Sequence, residues 1–128
     1  MIKEVLENYR EREMRRSGKQ EINWEVTPYR DKFGRQIECD ELEVLLRDPE
    51  YKIVKQEMVG QYFVSTVWLG VPHGFPNSQY FETMVFEPPE GTKDPRRNLG
   101  KELECVRYED WINAEKGHDL MVVLWKLK

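Results

Sequence analysis

Two segments with the composition of β-strands flank one loop, and together they constrain the fold more than any other feature of the chain. Residues 62–69 and 79–86 are rich in β-branched and aromatic side chains, and the residues between them include Gly, Pro and Asn. This arrangement is typical of a β-hairpin. If the hairpin closes near residue 74, Thr66 lies close to Thr83 on the neighbouring strand, where paired threonines are common. We therefore predict a central antiparallel hairpin.

A second pattern predicts a helix over 109–126. The side chains that share one face of this helix, with His118 at the centre and facing the sheet, are Trp111, Ala114, His118, Met121, Val122 and Trp125. Further aliphatic residues lie outside this face, at Leu120, Val123, Leu124 and Leu127. Three interpretations remain open for them: the last turns are buried on several sides, residues 120–127 are partly a strand, or they form a partner surface.

Shorter patterns complete the expected fold. They predict an N-terminal helix at 2–17, strands at 24–29 and 35–39, a short helix capped by Asp40, a strand at 51–59, a long loop at 87–102 and a strand at 103–108. We predict a single α+β domain over 1–128. Its antiparallel sheet, centred on the hairpin of 62–69 and 79–86, packs against the helix at 109–126, and the N-terminal helix (1–18) is a peripheral addition.

Composition excludes several classes of protein. The 128 residues include 34% charged side chains, and no apolar run approaches the roughly 20 residues that span a bilayer. The first residues lack the features of a signal peptide, and two cysteines do not form a disulfide framework, so we expect reduced thiols in a cytosol. The net charge of −4 is concentrated in the middle of the chain, which makes a nucleic-acid partner unexpected.

Two histidines invite a chemical interpretation, because the chain has no phosphate-binding glycine loop, nucleophile elbow or paired-cysteine zinc pattern. For His118 we favour a hydrogen bond to a strand hydroxyl or carbonyl, and for His73 a bond that organises the hairpin loop. Glu82 needs a partner inside the sheet, for which Arg107 and His118 are the candidates. A metal site needs at least three converging ligands, which nothing in the spacing requires, so we expect no metal and no cofactor.

Five short motifs follow one another in the second half of the chain. They are Ser-Thr-Val-Trp-Leu-Gly at 65–70, His-Gly-Phe at 73–75, Glu-Thr-Met-Val-Phe at 82–86, Arg-Tyr at 107–108 and Gly-His at 117–118. In this combination the chain resembles a group of uncharacterised small proteins encoded by tailed phages and prophages. The resemblance implies an origin and a fold, and no activity. The group has Asp before the turn histidine, where this chain has Pro72. The loop at 87–102 in this chain is longer than the corresponding Gly-Gly-Pro turn of the group.

Three classes of function follow from these observations. The first is a phage accessory protein that binds a host protein in the cytoplasm of the infected cell, as an inhibitor of a host enzyme or of an anti-phage defence system. The second is a small-ligand or nucleotide binder that uses the His73 loop and the polar hairpin residues, and a ligand-sized pocket beside Ser65, His73 and Glu82 would favour it. The third is a metal-dependent hydrolase that uses His73, Glu82 and His118. A homodimer through the C-terminal helix is a further option. The candidate contact residues are Ser65, Thr66, His73, Glu82, Thr83, Tyr108 and His118.

Overall fold

A four-stranded antiparallel sheet lies at the centre of the described part of the chain. The structure, a computed structural model, describes residues 27–74, 78–88 and 100–128. The strands pair in sequence order, and a C-terminal helix packs on the sheet, which confirms the predicted α+β class. The strands are β1 (Ile53–Val59), β2 (Tyr62–His73), β3 (Gln79–Phe86) and β4 (Glu102–Tyr108), and the helices are α1 (Cys39–Leu46), α2 (Pro49–Lys52) and α3 (Trp111–Lys126).

The central hairpin is confirmed, with β3 at its predicted bounds and β2 extended to His73. The register pairs Thr66 with Thr83, as the sequence predicts. The extension of β2 passes through Gly70, whose φ of 78° lies in the region that favours glycine. A Cβ atom at Gly70 would lie 2.6 Å from Leu42 Cδ1. Glycine therefore permits both the backbone conformation and the close approach of α1 to the sheet.

Helix α3 covers one face of the sheet. The Asp110 side chain caps it by accepting a hydrogen bond from the Asn113 N–H at 2.9 Å, so the helix begins at Trp111, two residues later than predicted. Its buried side chains belong to the predicted apolar face and are Ala114, His118, Met121, Val122 and Trp125. Burial of each large apolar side chain contributes roughly 1.5–3 kcal/mol to folding. The helix is thus fastened to the sheet along most of its length.

Strand β1 begins later than predicted, because α2 occupies the start of the predicted 51–59 strand. The Asp48 side chain accepts hydrogen bonds from the backbone N–H groups of Glu50 and Tyr51 at 3.0 and 3.3 Å. Pro49 occupies the first position of this helical turn, where its missing N–H costs nothing. The chain therefore enters the sheet at Ile53.

The predicted cap of α1 is wrong. The helix begins at Cys39 and Glu38 occupies the cap position, without a side-chain hydrogen bond to the helix. Asp40 lies inside the first turn instead, where its carboxylate is next to the positive end of the helix dipole. The α1 terminus is therefore stabilised by first-turn acids rather than by a capping side chain.

The predicted strand at 35–39 is also wrong. Its segment makes one isolated bridge, between Arg30 and Gln36. The Asp31 carboxylate accepts hydrogen bonds from the backbone N–H groups of Phe33 and Arg35, each at 2.9 Å, and so folds residues 31–35 into a tight turn. This turn leaves too little extended backbone for a strand pair.

Other predictions fall outside the described residues. These are the helix at 2–17, the first half of the strand at 24–29 and most of the loop at 87–102; residues 27–29 are described and are not in a strand. Within 27–74, 78–88 and 100–128, no helix is long and apolar enough to cross a membrane. Cys39 is buried, Cys105 is exposed, and the two do not form a disulfide.

Candidate functional site

Four of the seven candidate residues meet in the layer between α3 and the sheet. His118 Nδ1 lies 2.7 Å from Thr66 Oγ1, and Thr66 Oγ1 lies 2.5 Å from Thr83 Oγ1. The Tyr108 hydroxyl is hydrogen-bonded to Thr83. The predicted bond between His118 and a strand hydroxyl is therefore present. The hydroxyls come from β2, β3 and β4, so this chain of bonds crosses most of the sheet.

Glu57 on β1 completes the chain of hydrogen bonds, and sequence reasoning missed it. Its carboxylate Oε1 lies 2.9 Å from His118 Nε2. A carboxylate only accepts, so Nε2–H donates to Glu57, and in a neutral ring Nδ1 then accepts from the Thr66 hydroxyl. Thr66 in turn accepts from Thr83, and Thr83 accepts from Tyr108. We call these five residues (Tyr108, Thr83, Thr66, His118 and Glu57) the polar chain; each strand and α3 contributes one of them.

The close approach of the Tyr108 ring to α3 explains why residue 117, just before the buried histidine, is glycine. A Cβ atom at this position would lie 2.1 Å from Tyr108 Cε1 and 2.3 Å from the Tyr108 oxygen. The tyrosine ring therefore occupies the space that any larger residue would fill. Burial raises the pKa of the Tyr108 hydroxyl above its ordinary value. Gly117 thus leaves room for Tyr108, which is one end of the polar chain, and His118 supplies the imidazole of the chain.

The polar chain has the connectivity of a hydroxyl–histidine–carboxylate triad, but its exposure is reversed. In a hydrolase the hydroxyl meets the substrate and the carboxylate is buried. Here Thr66, Thr83 and His118 are 0% exposed, whereas the Glu57 side chain is 46% exposed. No substrate carbonyl can reach the Thr66 oxygen without removal of α3. The arrangement therefore satisfies buried polar groups and joins α3 to the sheet.

Two further candidates, Ser65 and Glu82, lie on the opposite face of the sheet. Successive strand residues point to opposite faces, so Ser65 and Thr66 cannot share a site. The Ser65 hydroxyl accepts a hydrogen bond from Gln56 Nε2 at 2.9 Å. Glu82 accepts from Arg107 Nε at 3.4 Å, which identifies Arg107 and not His118 as the partner among the two predicted candidates. Both side chains already have partners on the sheet.

His73 lies at the end of β2, paired with Gln79 in the register. It is seven residues further along the strand than Thr66, which corresponds to roughly 20 Å. His73 and Glu82 are therefore not brought to His118, as the hydrolase hypothesis requires. In the described ranges, no group of three or more His, Cys, Asp or Glu residues is arranged to hold a metal ion.

A pocket of about 180 Å³ lies beside the start of α3, and its lining includes none of the seven candidate residues. Phe33, Tyr80, Phe81 and Trp111 form its aromatic wall, with Glu109 and Asp110 at one side. The small-ligand hypothesis predicts a pocket beside Ser65, His73 and Glu82 instead, and none of these residues lines this one. Its volume is also below the roughly 300–1,000 Å³ of typical ligand sites.

The outer side of α3, away from the sheet, carries a second apolar stripe. We call the stripe the α3 outer surface; it comprises Ile112, Leu120, Val123, Leu124 and Leu127, which are between 45% and 80% exposed. The last four have the i, i+3, i+4, i+7 spacing of one helix face. Residues 120–126 are helical and the four aliphatic side chains of 120–127 are exposed, so the interpretations as a partial strand and as a segment buried on several sides are wrong. The partner surface stays a prediction.

We also compared the chain with models of known protein families, with curated proteins and with solved structures, and found no match in any of the three comparisons.

Proposed function

We propose that this protein acts by binding another protein, and that the α3 outer surface is its binding face. The observation that carries the proposal is the exposure of five large aliphatic side chains along one side of a single helix. Burial of each such side chain at an interface is worth roughly 1.5–3 kcal/mol before the cost of association. An amphipathic helix with this spacing is a common recognition element for an apolar groove.

The positions of most candidate site residues favour a binding function over a catalytic one. Thr66, Thr83 and His118 are enclosed beneath α3, and Ser65 and Glu82 are bonded to neighbours on the other face. The hydrolase and small-ligand hypotheses both need some of these side chains to be open to a substrate. A binding function needs only the outer side of the helix.

The phage resemblance supplies the proposed setting. A phage accessory protein acts in the cytoplasm of the infected cell, where the proposed target is a host protein such as an enzyme or a component of an anti-phage defence system. The α3 outer surface suits a target with an apolar groove about as long as the helix, roughly 24 Å. A second copy of the chain is the other proposed partner of this surface.

The proposal can be tested by comparing three forms of the protein in affinity capture from host-cell lysate. The first is the parent, the second carries Leu120→Glu and Val123→Glu, and the control carries Val44→Glu. Val44 is 64% exposed on α1, so the control places a carboxylate in another exposed apolar position. We expect one host protein to be captured by the parent and the control and lost with the double variant, while all three proteins melt at similar temperatures. Equal capture by all three forms would contradict the proposed binding face.

A further inference from the structure

We propose that the pocket beside the start of α3 receives one tyrosine side chain of the protein that binds the α3 outer surface. The tyrosine ring lies against the aromatic wall, and its hydroxyl donates a hydrogen bond to the Glu109 carboxylate. For the identity of the partner this rests on the proposed function, and it adds the one side chain that the partner must present. The capacity of the pocket for a tyrosine ring is a property of this chain alone.

The size of the pocket matches a single ring with one polar substituent. Its volume is about 180 Å³. An apolar cavity of about 150 Å³ holds one benzene molecule, and one water-sized group occupies about 30 Å³ more. A phenol ring therefore fills the pocket, whereas the smaller side chain of leucine leaves part of it empty and the two-ring indole of tryptophan exceeds it.

The aromatic wall is held in place by contacts within the chain. The rings of Phe33 and Trp111 stack with their centroids 5.6 Å apart, and Phe81 meets Trp111 edge-on at 6.4 Å. The Asp31 carboxylate accepts hydrogen bonds from the Phe33 and Arg35 N–H groups, so the backbone that carries Phe33 is fixed as well. A further ring gains offset-stacked or edge-to-face contacts against this wall, and the wall needs little ordering to receive it.

Arg30 favours an aromatic occupant over a cationic one. Its guanidinium lies over the Tyr80 ring, 5.2 Å from the ring centroid, and Arg30 also lines the pocket. A guanidinium is planar and stacks on aromatic faces, so Arg30 offers a second surface to an incoming ring. A lysine or arginine of the partner would instead meet a like charge in the pocket.

Glu109 supplies the acceptor for the tyrosine hydroxyl. Three carboxylates line the pocket, on Asp31, Glu109 and Asp110. Asp31 already accepts hydrogen bonds from two backbone N–H groups and from Arg35 Nε, and Asp110 accepts one from the Asn113 N–H as the helix cap. Within the residues that the structure describes, the Glu109 side chain has no hydrogen bond or ion pair. A hydrogen bond from a phenol to a carboxylate is charge-assisted, so Glu109 favours tyrosine over phenylalanine.

The pocket is continuous with the α3 outer surface through Ile112. This side chain is 65% exposed, lines the pocket and is the first residue of the apolar stripe. Leu120 lies eight residues further along the helix, at a distance of about 12 Å. A partner segment that lies along the stripe therefore reaches the pocket with one end. Its tyrosine is then an aromatic anchor in a pocket, the kind of contact that carries much of the binding energy of many interfaces.

Binding of short peptides to the purified full chain, followed by NMR, tests the chemistry of the pocket. The probes are acetyl-Gly-Tyr-Gly-amide and the same peptide with phenylalanine, leucine or arginine in the middle, and the reporters are the Trp111 indole N–H and the Gly34 amide. We expect saturable shifts with the tyrosine peptide in the millimolar range and about tenfold weaker binding of the phenylalanine peptide. The leucine and arginine peptides should give no saturable shift.

Three variants locate the binding, with a thermal melt of each to confirm folding. Phe33→Ala removes part of the wall, and we expect it to weaken binding of the tyrosine peptide at least tenfold. Glu109→Gln removes the charged acceptor and should make the tyrosine and phenylalanine peptides bind with nearly equal affinity. Leu127→Ala is the matched control, because Phe33 and Leu127 are 79% and 80% exposed, and it should change nothing.

Three peptide results would each overturn the proposal: no saturable shift with the tyrosine peptide, equal binding of the leucine or arginine peptide, or binding unaffected by Phe33→Ala. In the capture experiment, Phe33→Ala should also lower the yield of the host protein, and an unchanged yield would show that the partner does not use the pocket. The proposed binding face fails separately, when Leu120→Glu and Val123→Glu leave capture unchanged, because neither residue lines the pocket.

Discussion

The imidazole of His118 on α3 is hydrogen-bonded through Nδ1 to the Thr66 hydroxyl of β2, at 2.7 Å and fully enclosed. This contact joins the only polar side chain on the buried face of α3 to the centre of the sheet. It also determines how the remaining hydroxyls of the polar chain direct their protons. The helix is thereby held in one register on the sheet, which fixes the direction of its outer surface.

Replacing the histidine should therefore cost stability. His118→Ala removes a buried ring and leaves the Thr66 hydroxyl without its acceptor, so we expect a loss of about 2–4 kcal/mol in the free energy of unfolding. Urea unfolding of His118→Ala beside His73→Ala measures this, and the half-buried His73 should cost far less. Equal and small losses for the two variants would show that the polar chain does not hold α3.

Gly117 and Tyr108 should show strong energetic coupling. Gly117→Ala gains about 1 kcal/mol of helix propensity but overfills the space beside the tyrosine ring, for a net loss of about 1–2 kcal/mol. When the ring is removed by Tyr108→Ala, the same Gly117→Ala substitution should become neutral or stabilising. A double-mutant cycle in urea measures the coupling, and additive effects would mean that the ring and the helix are not in contact.

The position of the Tyr108 hydroxyl predicts how stability changes at alkaline pH. Its pKa is raised by burial from the ordinary value of 10.0, so the native state keeps this proton when the unfolded chain has lost it. The stabilisation from Tyr108 is fully present below the pKa that this group has in the unfolded chain. It is lost as the pH rises through the higher pKa of the native state. Tyr108→Phe should flatten that decline and cost about 1 kcal/mol at neutral pH through its missing hydrogen bond. Thermal melts between neutral pH and pH values above about 10 measure both effects, and an unchanged alkaline slope would contradict the assignment.

Much of the fold could be predicted from sequence because its signals are local. The hairpin depends on β-branched residues around a turn-rich loop, and the position of His118 depends on helical spacing alone. Glu57 was missed because its position beside His118 depends on the register of β1 against β2, which shifts between Ile53 and Lys55. The available signal was the alternation of Lys55 and Glu57 on β1, which bond Asp119 and His118 of α3.

The prediction of a strand at 35–39 is wrong for a different local reason. Side-chain bonds from Asp31 to the backbone of its own turn compete with strand pairing, and their geometry is not visible in a residue pattern. The outer surface of α3 was visible as a second set of aliphatic residues, but only the structure shows that residues 120–126 are helical and that these side chains remain exposed.

The central claim, that the α3 outer surface is the binding face, is tested most directly by methyl NMR of the protein with the captured host protein. We expect the methyl resonances of Leu120, Val123 and Leu127 to shift or broaden when the host protein is added, while Val44 on α1 is unchanged. Shifts confined to Val67, near Ser65, and Val71, near His73, with the α3 methyl groups unchanged, would contradict the claim. They would indicate that the host protein binds the sheet or the hairpin loop instead.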